Sequence, residues 1–399
     1  MIPVAEARAR ILAAVGPTEA EVVHLAEAWG RVAAAPLAAR VTQPPQDVSA
    51  MDGYALRAAE GVHGARLRVA GIAPAGHPWT GTLRPGEALR LFTGSVMPGG
   101  ADTVLLQEDA TEAEGVVTVN ETVTAGRHIR RAGQDFAAGD VLVPAGRRLS
   151  ARDVGLAASG NLPWVRVHRR PRVAILATGD EIALPGEPIP PGGIVSSNAH
   201  ALAAFVRAAG GEPIVLPIAP DDADAIGAAA GVRADLLVTT GGASVGAHDL
   251  VQAGLGQRGL TLDFWKIAMR PGKPLMFGRL GDTPVLGLPG NPVSALVCAV
   301  LFLHPMLARM SGLPETDLPV ESARLGAPLP ANDRRADHLR AYLAPGTDGR
   351  PVATAFERQD SALLRLFARA DALILRAPHA PPAAAGDLVD IIRLAPLGF

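Results

Sequence analysis

The second half of the chain alternates short apolar runs with helix-like segments, and this alternation constrains the fold more than any other feature of the sequence. The runs with the composition of buried strands are residues 172–177, 213–218, 235–239, 274–277 and 285–288. Helical patterning lies between several of them, at residues 199–209, 223–230 and about 250–255, and a long helix is expected from Asn291-Pro292 toward Met310. Such alternation is typical of a doubly wound, mainly parallel sheet, so we predict an α/β domain here.

Three Gly-rich turns directly follow three of these strands. They span residues 177–181, 239–246 and 287–294. Because ligands of open α/β sheets bind outside the carboxyl ends of the strands, all three turns are expected to line one site. Glycines there let backbone N–H groups approach phosphate or oxyanion oxygens closely. Each turn alone could be merely a tight turn, and none is a Walker A loop or a complete Gly-x-Gly-x-x-Gly fingerprint, but three at one sheet edge predict an anion site.

A cationic segment follows, with Lys266, Arg270 and Lys273 around a Pro-Gly turn. The prolines restrict the backbone, and the charges would suit a phosphate or a tetrahedral oxyanion. A solvated basic loop is the alternative. The nearby Gly turns favour a binding site.

Carboxylates mark the same sheet edge: Asp180, Glu181, Asp221, Asp222 and Asp249. Oxygen ligands of this kind suit Mg²⁺ that is also bridged to a phosphate. Asp221 and Asp222 could equally cap a helix, whereas Asp249 directly follows a Gly turn and is the stronger ligand candidate. The ten histidines include no His-Glu-x-x-His pair, so the sequence does not support a zinc hydrolase.

The first 170 residues combine helical and β patterns. An amphipathic helix is expected at 4–15 and a second short helix at 21–29, closed by Gly30. Residues 41–144 carry short alternating runs and Pro-Gly turns, which predict a small β domain. A further helix should begin after an N-cap at Ser150 and end at Gly160.

The tail after Pro314 predicts a small β barrel or sandwich, because strand-like runs recur at 338–343, 373–375 and 388–394.

The formal net charge of −2 argues against a general nucleic-acid binder. A single cysteine, Cys298, excludes disulfide frameworks and Cys-rich metal sites held by this chain alone. The start does not resemble a signal peptide, and the longest apolar run, 293–303, is too short to span a membrane, so we expect a soluble, cytoplasmic protein that binds neither nucleic acid nor membrane.

Six segments together resemble the signatures of the MoeA family of molybdopterin molybdotransferases, in the same order. They are Ser49-Ala50-Met51-Asp52-Gly53-Tyr54-Ala55, Phe92-Thr93-Gly94, Thr178-Gly179-Asp180-Glu181, the stretch from Gly241 to Asp249, Pro271-Gly272-Lys273-Pro274, and Leu288-Pro289-Gly290-Asn291-Pro292-Val293-Ser294. The gephyrin E domain shares them. The resemblance extends over essentially the whole chain.

This resemblance implies a multidomain α/β plus β fold. It would comprise a discontinuous helical part (1–40 and 140–168), a middle β domain (41–139), a doubly wound, MogA-like molybdopterin-binding domain (169–315) and a C-terminal β barrel (316–399). It further implies a homodimer, with each site shared between the α/β domain of one subunit and the middle β domain of the other.

The implied reaction inserts molybdate into adenylylated molybdopterin with Mg²⁺ and releases AMP. By resemblance, the catalytic residues would be Asp52, Thr93, Asp135, Glu181 and Asp249. Substrate would be bound by Gly241, Gly242, Ser244, Lys266, Arg270, Lys273, Ser294, Arg340 and Ser361. The metal would be held by Asp221, Asp249 and Glu181. A MogA-like adenylyltransferase is the expected functional partner.

The sequence departs from the family pattern at two places. Arg270 stands where lysine is frequent, and Gln46-Asp47-Val48 precedes the first signature where Phe-Asp-Asn is common.

Two other functions are considered. A MogA-like adenylyltransferase would be much shorter and would lack the Ser-Ala-Met-Asp-Gly-Tyr segment and the β tail. A pure scaffold would have no need to keep Asp249, Lys273 and Glu181 together.

Overall fold

A computed structural model describes residues 1–241, 250–314 and 316–398 of the chain. Its central element is a six-stranded sheet. In spatial order the strands are Glu212–Val215, Arg172–Ala177, Leu236–Thr240, Thr283–Leu288, Met276–Leu280 and Leu260–Phe264. The first four strands are parallel, and the last two are joined through antiparallel pairings, so that only Met276–Leu280 runs in the opposite direction; this confirms the mainly parallel sheet. The edge strand Leu260–Phe264 was not predicted, because its half-exposed residues lack the apolar run of a buried strand.

Helices cover both faces of this sheet, as predicted for a doubly wound domain. They are Asn198–Ala208, Ala223–Ala229 and Leu250–Gln257. A further helical stretch, Pro292–Met310, consists of α-helix, a π-helical middle (Ala299–Leu303) and α-helix. By length and composition this stretch could cross a membrane, but 89% of its most apolar window is buried inside the protein. It is therefore the core helix of the α/β domain.

The N-terminal helix Val4–Ala13 packs on that core helix, with Ala7 and Ile11 fully buried among its side chains. The helix Ala151–Ser159 belongs to a separate small core. Ser150 forms the predicted N-cap, in a complete capping box with Asp153. The two helices of the discontinuous part thus stabilise different cores.

The prediction of a helix at residues 21–29 is wrong. Residues Ala20–His24 form a β-strand, and Leu25–Glu27 form one 3₁₀ turn. The strand pairs antiparallel with Trp164–His168, more than 130 residues further along the chain. Pairing with this distant strand buries Val165 and Val167 and overrides the weak local helical pattern. A second two-stranded ribbon joins Leu37–Ala38 to Val141–Val143, so this part is not purely helical.

The middle β domain is a six-stranded sheet. Its spatial order is Thr103–Leu106, Gly53–Leu56, Glu87–Leu91, Arg66–Ala73, Val116–Val119 and Ala110–Ala113. The second strand in this order, Gly53–Leu56, is fully buried and lies between Glu87–Leu91 and the edge strand Thr103–Leu106. The signature around Asp52 therefore ends in a fixed strand rather than a free loop.

The C-terminal domain is a closed barrel of five strands: Ala336–Ala344, Val352–Ala355, Glu321–Leu325, Leu388–Arg393 and Ala372–Arg376. Closure occurs where the last strand pairs back with the first. Glu321–Leu325 and Val352–Ala355 were not predicted. The short strand Met269–Arg270 of the cationic segment pairs with Ala336–Asp337, so a β-pairing ties the α/β domain to the barrel. This join carries residues of both domains to one cleft.

Candidate active site

The carboxyl edge of the parallel sheet opens into a cleft of about 1170 Å³. Residues of all three Gly-rich turns line it, namely Ala177 and Glu181, Thr240 and Gly241, and Pro289 to Pro292 with Ser294. The Pro-Gly segment 270–274 and a loop of the barrel, residues 359–362, complete its walls. The structure thus brings together turns that are spread over more than 100 residues of sequence.

The second turn needs glycine for two reasons. Gly241 has a φ of +96°, a left-handed conformation that other residues adopt rarely. A Cβ at this position would also lie 2.5 Å from the carbonyl oxygen of Thr178 in the first turn. Gly241 therefore lets the first and second turns touch.

Asn198 joins the second turn to the third. Its side-chain amide donates to the Thr240 hydroxyl at 2.8 Å and to the Gly290 carbonyl at 2.7 Å. Asn198 begins the helix Asn198–Ala208 and itself lines the cleft. The sequence predictions missed this residue, because nothing local shows that its amide bridges two distant turns.

The two lysines of the chain both lie in the cationic segment, although Lys and Arg together number 37. Lys273 lines the cleft and has no ion-pair partner among the described residues. Lys266 does not line the cleft, and its ammonium group lies 4.5 Å from the centre of the Trp265 ring. Lys273 is therefore a cation that is available to an anionic ligand.

Arg270 lines the cleft but is already bound to carboxylates of the barrel. Its Nε donates to Asp337 at 2.8 Å and its Nη2 also donates to that carboxylate, while Nη1 lies 3.5 Å from Asp333. The hydrogen bonds to Asp337 raise the pKa of Arg270. Arginine at this position thus supplies a planar fork that holds the two domains together.

The barrel loop 359–362 is held from behind by Arg340. This side chain is only 2% exposed and donates from Nη2 to the Asp360 carbonyl at 3.3 Å. Gln359 exchanges two hydrogen bonds with the Arg340 backbone, both at 3.0 Å. Burial lowers the pKa of Arg340 to about 10. Arg340 lies behind the loop and does not line the cleft, so it shapes the loop rather than facing the ligand.

Ser361, on the same loop, lines the cleft beside Ser294. Asn291 donates from its side-chain amide to the Ser361 hydroxyl oxygen at 3.0 Å, and Val293 N–H donates to the Ser361 carbonyl at 3.1 Å. Asn291 occupies the predicted N-cap position, but its side chain makes no capping hydrogen bond. Its amide instead fixes the barrel loop to the start of the core helix.

Of the carboxylates at this sheet edge, Glu181 lines the cleft, whereas Asp180 and Asp222 accept backbone N–H groups nearby. Glu181 is exposed and lines the cleft, and Gly179 leaves the space into which its carboxylate turns. Asp180 accepts the backbone N–H of Asp221 at 3.0 Å, and Asp222 caps the helix Ala223–Ala229. Asp222 is therefore a helix cap, which is one of the two roles that the sequence allowed for it.

Gly242, Ser244 and Asp249 lie outside the described residues, so three predicted site residues have no placement here. Within the described residues, no group of three or more His, Cys, Asp or Glu side chains could hold a metal ion. Any metal site at this edge would need ligands beyond the described carboxylates, such as substrate oxygens and water.

Asp52, Thr93 and Asp135 lie in or beside the middle β domain, and none of them lines the cleft. Asp52 and Thr93 nevertheless form one unit, because Asp52 accepts both the backbone N–H and the hydroxyl of Thr93. These bonds, the one from the backbone N–H first, lower the pKa of Asp52. Asp135 is exposed.

The cleft suits a ligand with oxyanions. Lys273 supplies an unpaired cation among the described residues, and Ser294 and Ser361 supply hydroxyl groups. Arg270 and Arg340 hold the walls by bonds to Asp337 and to the barrel loop. Fixed donors of this kind stabilise negative charge without reorganisation.

Three family models match the chain in order. The model of the MoeA N-terminal region (domain I and II) matches residues 2–160, the model of a probable molybdopterin binding domain matches residues 174–309, and the model of the MoeA C-terminal region (domain IV) matches residues 322–394.

Curated proteins and solved structures agree with these models. The chain is 40% identical over 307 residues to a molybdopterin molybdenumtransferase from Nostoc sp., covering 74% of this chain and 70% of that protein. It is 33% identical over 397 residues to a protein of the same name from Haemophilus influenzae, covering 98% of each. The crystal structure of a molybdopterin biosynthesis MoeA protein from Pyrococcus horikosii has a TM-score of 0.85 and 29% identity, covering 98% of this chain and 99% of that chain.

Proposed function

The chain belongs to the MoeA family of molybdopterin molybdenumtransferases, and we propose that it inserts molybdate into adenylylated molybdopterin and releases AMP. It is an enzyme of molybdenum cofactor biosynthesis. We propose three further details: the adenylylated form of the substrate, the residues that act on it and the metal.

The observation that carries the proposal is Lys273 in the cleft. It is a cation with no ion-pair partner among the described residues, facing the same space as Ser294, Ser361 and the Gly-rich turns. A polyanionic substrate with a phosphate link and a tetrahedral oxyanion would find both charge and hydroxyl donors there. A cleft for a neutral metabolite would have no use for an uncompensated ammonium group.

In this proposal each described residue has a defined task. Lys273 stabilises the negative charge on the oxyanion and on the departing AMP phosphate. Ser294 and Ser361 donate hydroxyl hydrogen bonds that orient molybdate. Arg340 and Gln359 keep the Ser361 loop in place, and Asn198 keeps the second and third turns at a fixed separation.

Mg²⁺ is part of the proposal, and Glu181 is the proposed metal ligand that lines the cleft among the described residues. Mg²⁺ needs only one or two protein carboxylates when it also binds substrate phosphate and water. Glu181 offers an exposed carboxylate in the cleft, while Asp221 and Asp249 would complete the ligand set. When bound, the ion would neutralise phosphate charge.

We further propose that the active enzyme is a homodimer whose sites are each built by two subunits. Asp52 and Thr93 form a preorganised pair, yet neither lines the cleft of its own chain. A second copy would bring this pair to the cleft and explain why the catalytic predictions lie in two domains. The adenylylated substrate would come from a MogA-like adenylyltransferase.

The test is molybdate-dependent release of AMP from adenylylated molybdopterin by purified protein with Mg²⁺. We expect AMP release together with cofactor that reactivates a molybdenum-free apo-enzyme, and a loss of at least tenfold in Lys273→Ala. Arg233→Ala is the matched control, because Arg233 is an exposed cation of the same domain without a described partner. A folded wild-type protein that releases no AMP from verified substrate would refute the proposal.

A further inference from the structure

Arg335, a residue of the C-terminal barrel that none of the sequence predictions included, lines the cleft next to the Gly-rich turns. We propose that it is a further substrate-binding residue, which places a cation of the barrel against the phosphate groups of the substrate. This inference rests on the proposed function, because it assigns a contact for the same anionic substrate.

The cations in the cleft differ in how fully carboxylates engage them. Among the described residues that line it, the cationic side chains are Arg270, Lys273 and Arg335. Arg270 uses its Nε and Nη2 on Asp337, so most of its fork is committed to a carboxylate of the barrel. Arg335 contacts a carboxylate through Nη2 alone, at 3.2 Å from Asp333.

The backbone of Arg335 is fixed on both sides. Its N–H donates to the Asp333 carboxylate at 2.8 Å, and its carbonyl accepts from the Asn332 side-chain amide at 2.8 Å. The next residue, Ala336, donates its N–H to the Ala268 carbonyl at 2.9 Å, which joins the segment to the α/β domain. Because these bonds fix its backbone, Arg335 is preorganised for ligand binding.

Asp333 is shared between two guanidinium groups. This carboxylate contacts both Arg335 and Arg270, so it neutralises neither guanidinium completely. The Nε and Nη1 of Arg335 have no hydrogen-bond partner in the described part of the chain. A phosphate carries more charge than a shared carboxylate and can accept a charge-assisted hydrogen bond from either of these free nitrogens.

A purely structural role for Arg335 makes different predictions. If the side chain served only to hold Asp333, its loss would lower stability and leave anion binding unchanged. If it binds phosphate, its loss weakens binding while the fold persists. The experiment must therefore read out binding, turnover and unfolding separately.

Three variants and two anionic probes make this separation. Arg335→Ala removes the cation, and Arg335→Lys keeps the charge without the planar fork. Arg334→Ala is the matched control, since the adjacent Arg334 is exposed, does not line the cleft and has no partner in the described part of the chain. Inorganic pyrophosphate and AMP serve as calorimetric probes at fixed ionic strength, alongside KM, kcat and thermal unfolding.

We expect Arg335→Ala to weaken pyrophosphate binding and to raise KM for adenylylated molybdopterin by roughly tenfold or more, with kcat changed by less than about threefold. Arg335→Lys should recover part of the loss, and Arg334→Ala should stay within about twofold of the wild type. Unchanged pyrophosphate binding and KM in a folded Arg335→Ala protein would overturn the inference. So would an equal effect of Arg334→Ala. If Arg335→Ala does not fold, Arg335→Lys with wild-type KM and pyrophosphate affinity would overturn it.

The two proposals can fail separately. A wild-type protein that releases no AMP, but binds pyrophosphate more tightly than Arg335→Ala, would refute the reaction and retain Arg335 as an anion-binding residue. If the wild type and Arg335→Ala release AMP equally fast and bind pyrophosphate equally tightly, the reaction is retained and the role of Arg335 is refuted.

Discussion

The carboxylate of Asp52 accepts two hydrogen bonds from Thr93, one from the backbone N–H at 2.7 Å and one from the hydroxyl at 2.8 Å. The two residues are brought together by the antiparallel pairing of Gly53–Leu56 with Glu87–Leu91, in which Gly53 lies opposite Leu91. Both bonds favour the charged carboxylate and lower the pKa of Asp52. The middle β domain therefore presents a fixed anion.

Thr93→Val should raise the pKa of Asp52 toward its ordinary value. The variant removes the hydroxyl donor and keeps the backbone donor, which is the larger cause of the shift, so the pKa should stay below the ordinary value. An NMR titration of the Asp52 carboxyl carbon measures this. Thr93→Ser keeps a hydroxyl and is the control. An unchanged pKa in Thr93→Val would show that the hydroxyl bond contributes nothing in solution.

Asn198→Ala should lower the free energy of unfolding by about 1–3 kcal/mol, because it leaves the Gly290 carbonyl and the buried Thr240 hydroxyl without their donor. Urea denaturation measures the change. Asn120→Ala is the matched control, since its amide makes one exposed bond to Thr111, and it should cost less than about 0.5 kcal/mol. Equal effects of the two variants would contradict the bridging role.

Asn291 and Ser361 should act as one unit toward molybdate. Asn291→Ala frees the Ser361 hydroxyl, so KM for molybdate should rise severalfold, as in Ser361→Ala. The double variant should be no worse than Ser361→Ala alone. Strictly multiplicative effects in this double-mutant cycle would indicate that the two residues act independently.

His338 should make the protein sensitive to acid. It is 5% exposed, and burial lowers its pKa to about 4. Below the ordinary histidine pKa the unfolded chain binds a proton that the folded chain does not, so stability falls as pH decreases from about 6.5 toward 4.

Between pH 7 and pH 5 this single group should cost roughly 2 kcal/mol. His338→Gln should lose less stability than the wild type over this interval, whatever its stability at pH 7. Urea denaturation of both proteins at the two pH values gives the comparison. Parallel losses would show that His338 titrates normally in the folded protein.

The inner strands of the α/β sheet could be predicted from sequence because they are buried on both faces and read as continuous apolar runs. The strand Arg172–Ala177 has the predicted bounds, and the others differ from them by a few residues. The helix expected at 21–29 failed for the opposite reason. Its residues are mostly exposed, and their conformation is decided by a partner strand more than 130 residues away.

The cleft was predictable in outline but not in its supporting contacts. The Gly-rich turns and the cationic segment are visible as local patterns. The bridges made by Asn198, Asn291 and Gln359 are not, because each depends on where a distant segment lies in the fold. One global signal was available: a chain rich in arginine places both of its lysines within eight residues, next to the cleft.

Subunit mixing tests the central claim, that two copies build each site, most directly. Asp52→Ala and Lys273→Ala proteins, each expected to keep less than about a tenth of the wild-type activity, are unfolded, mixed in equal amounts, refolded together and assayed for molybdate-dependent AMP release. Random pairing makes half of the dimers mixed, and each mixed dimer has one intact site of two, so activity should return to about a quarter of the wild-type value. A mixture as inactive as its parents, with mixed dimers verified by mass, would contradict a site shared between subunits.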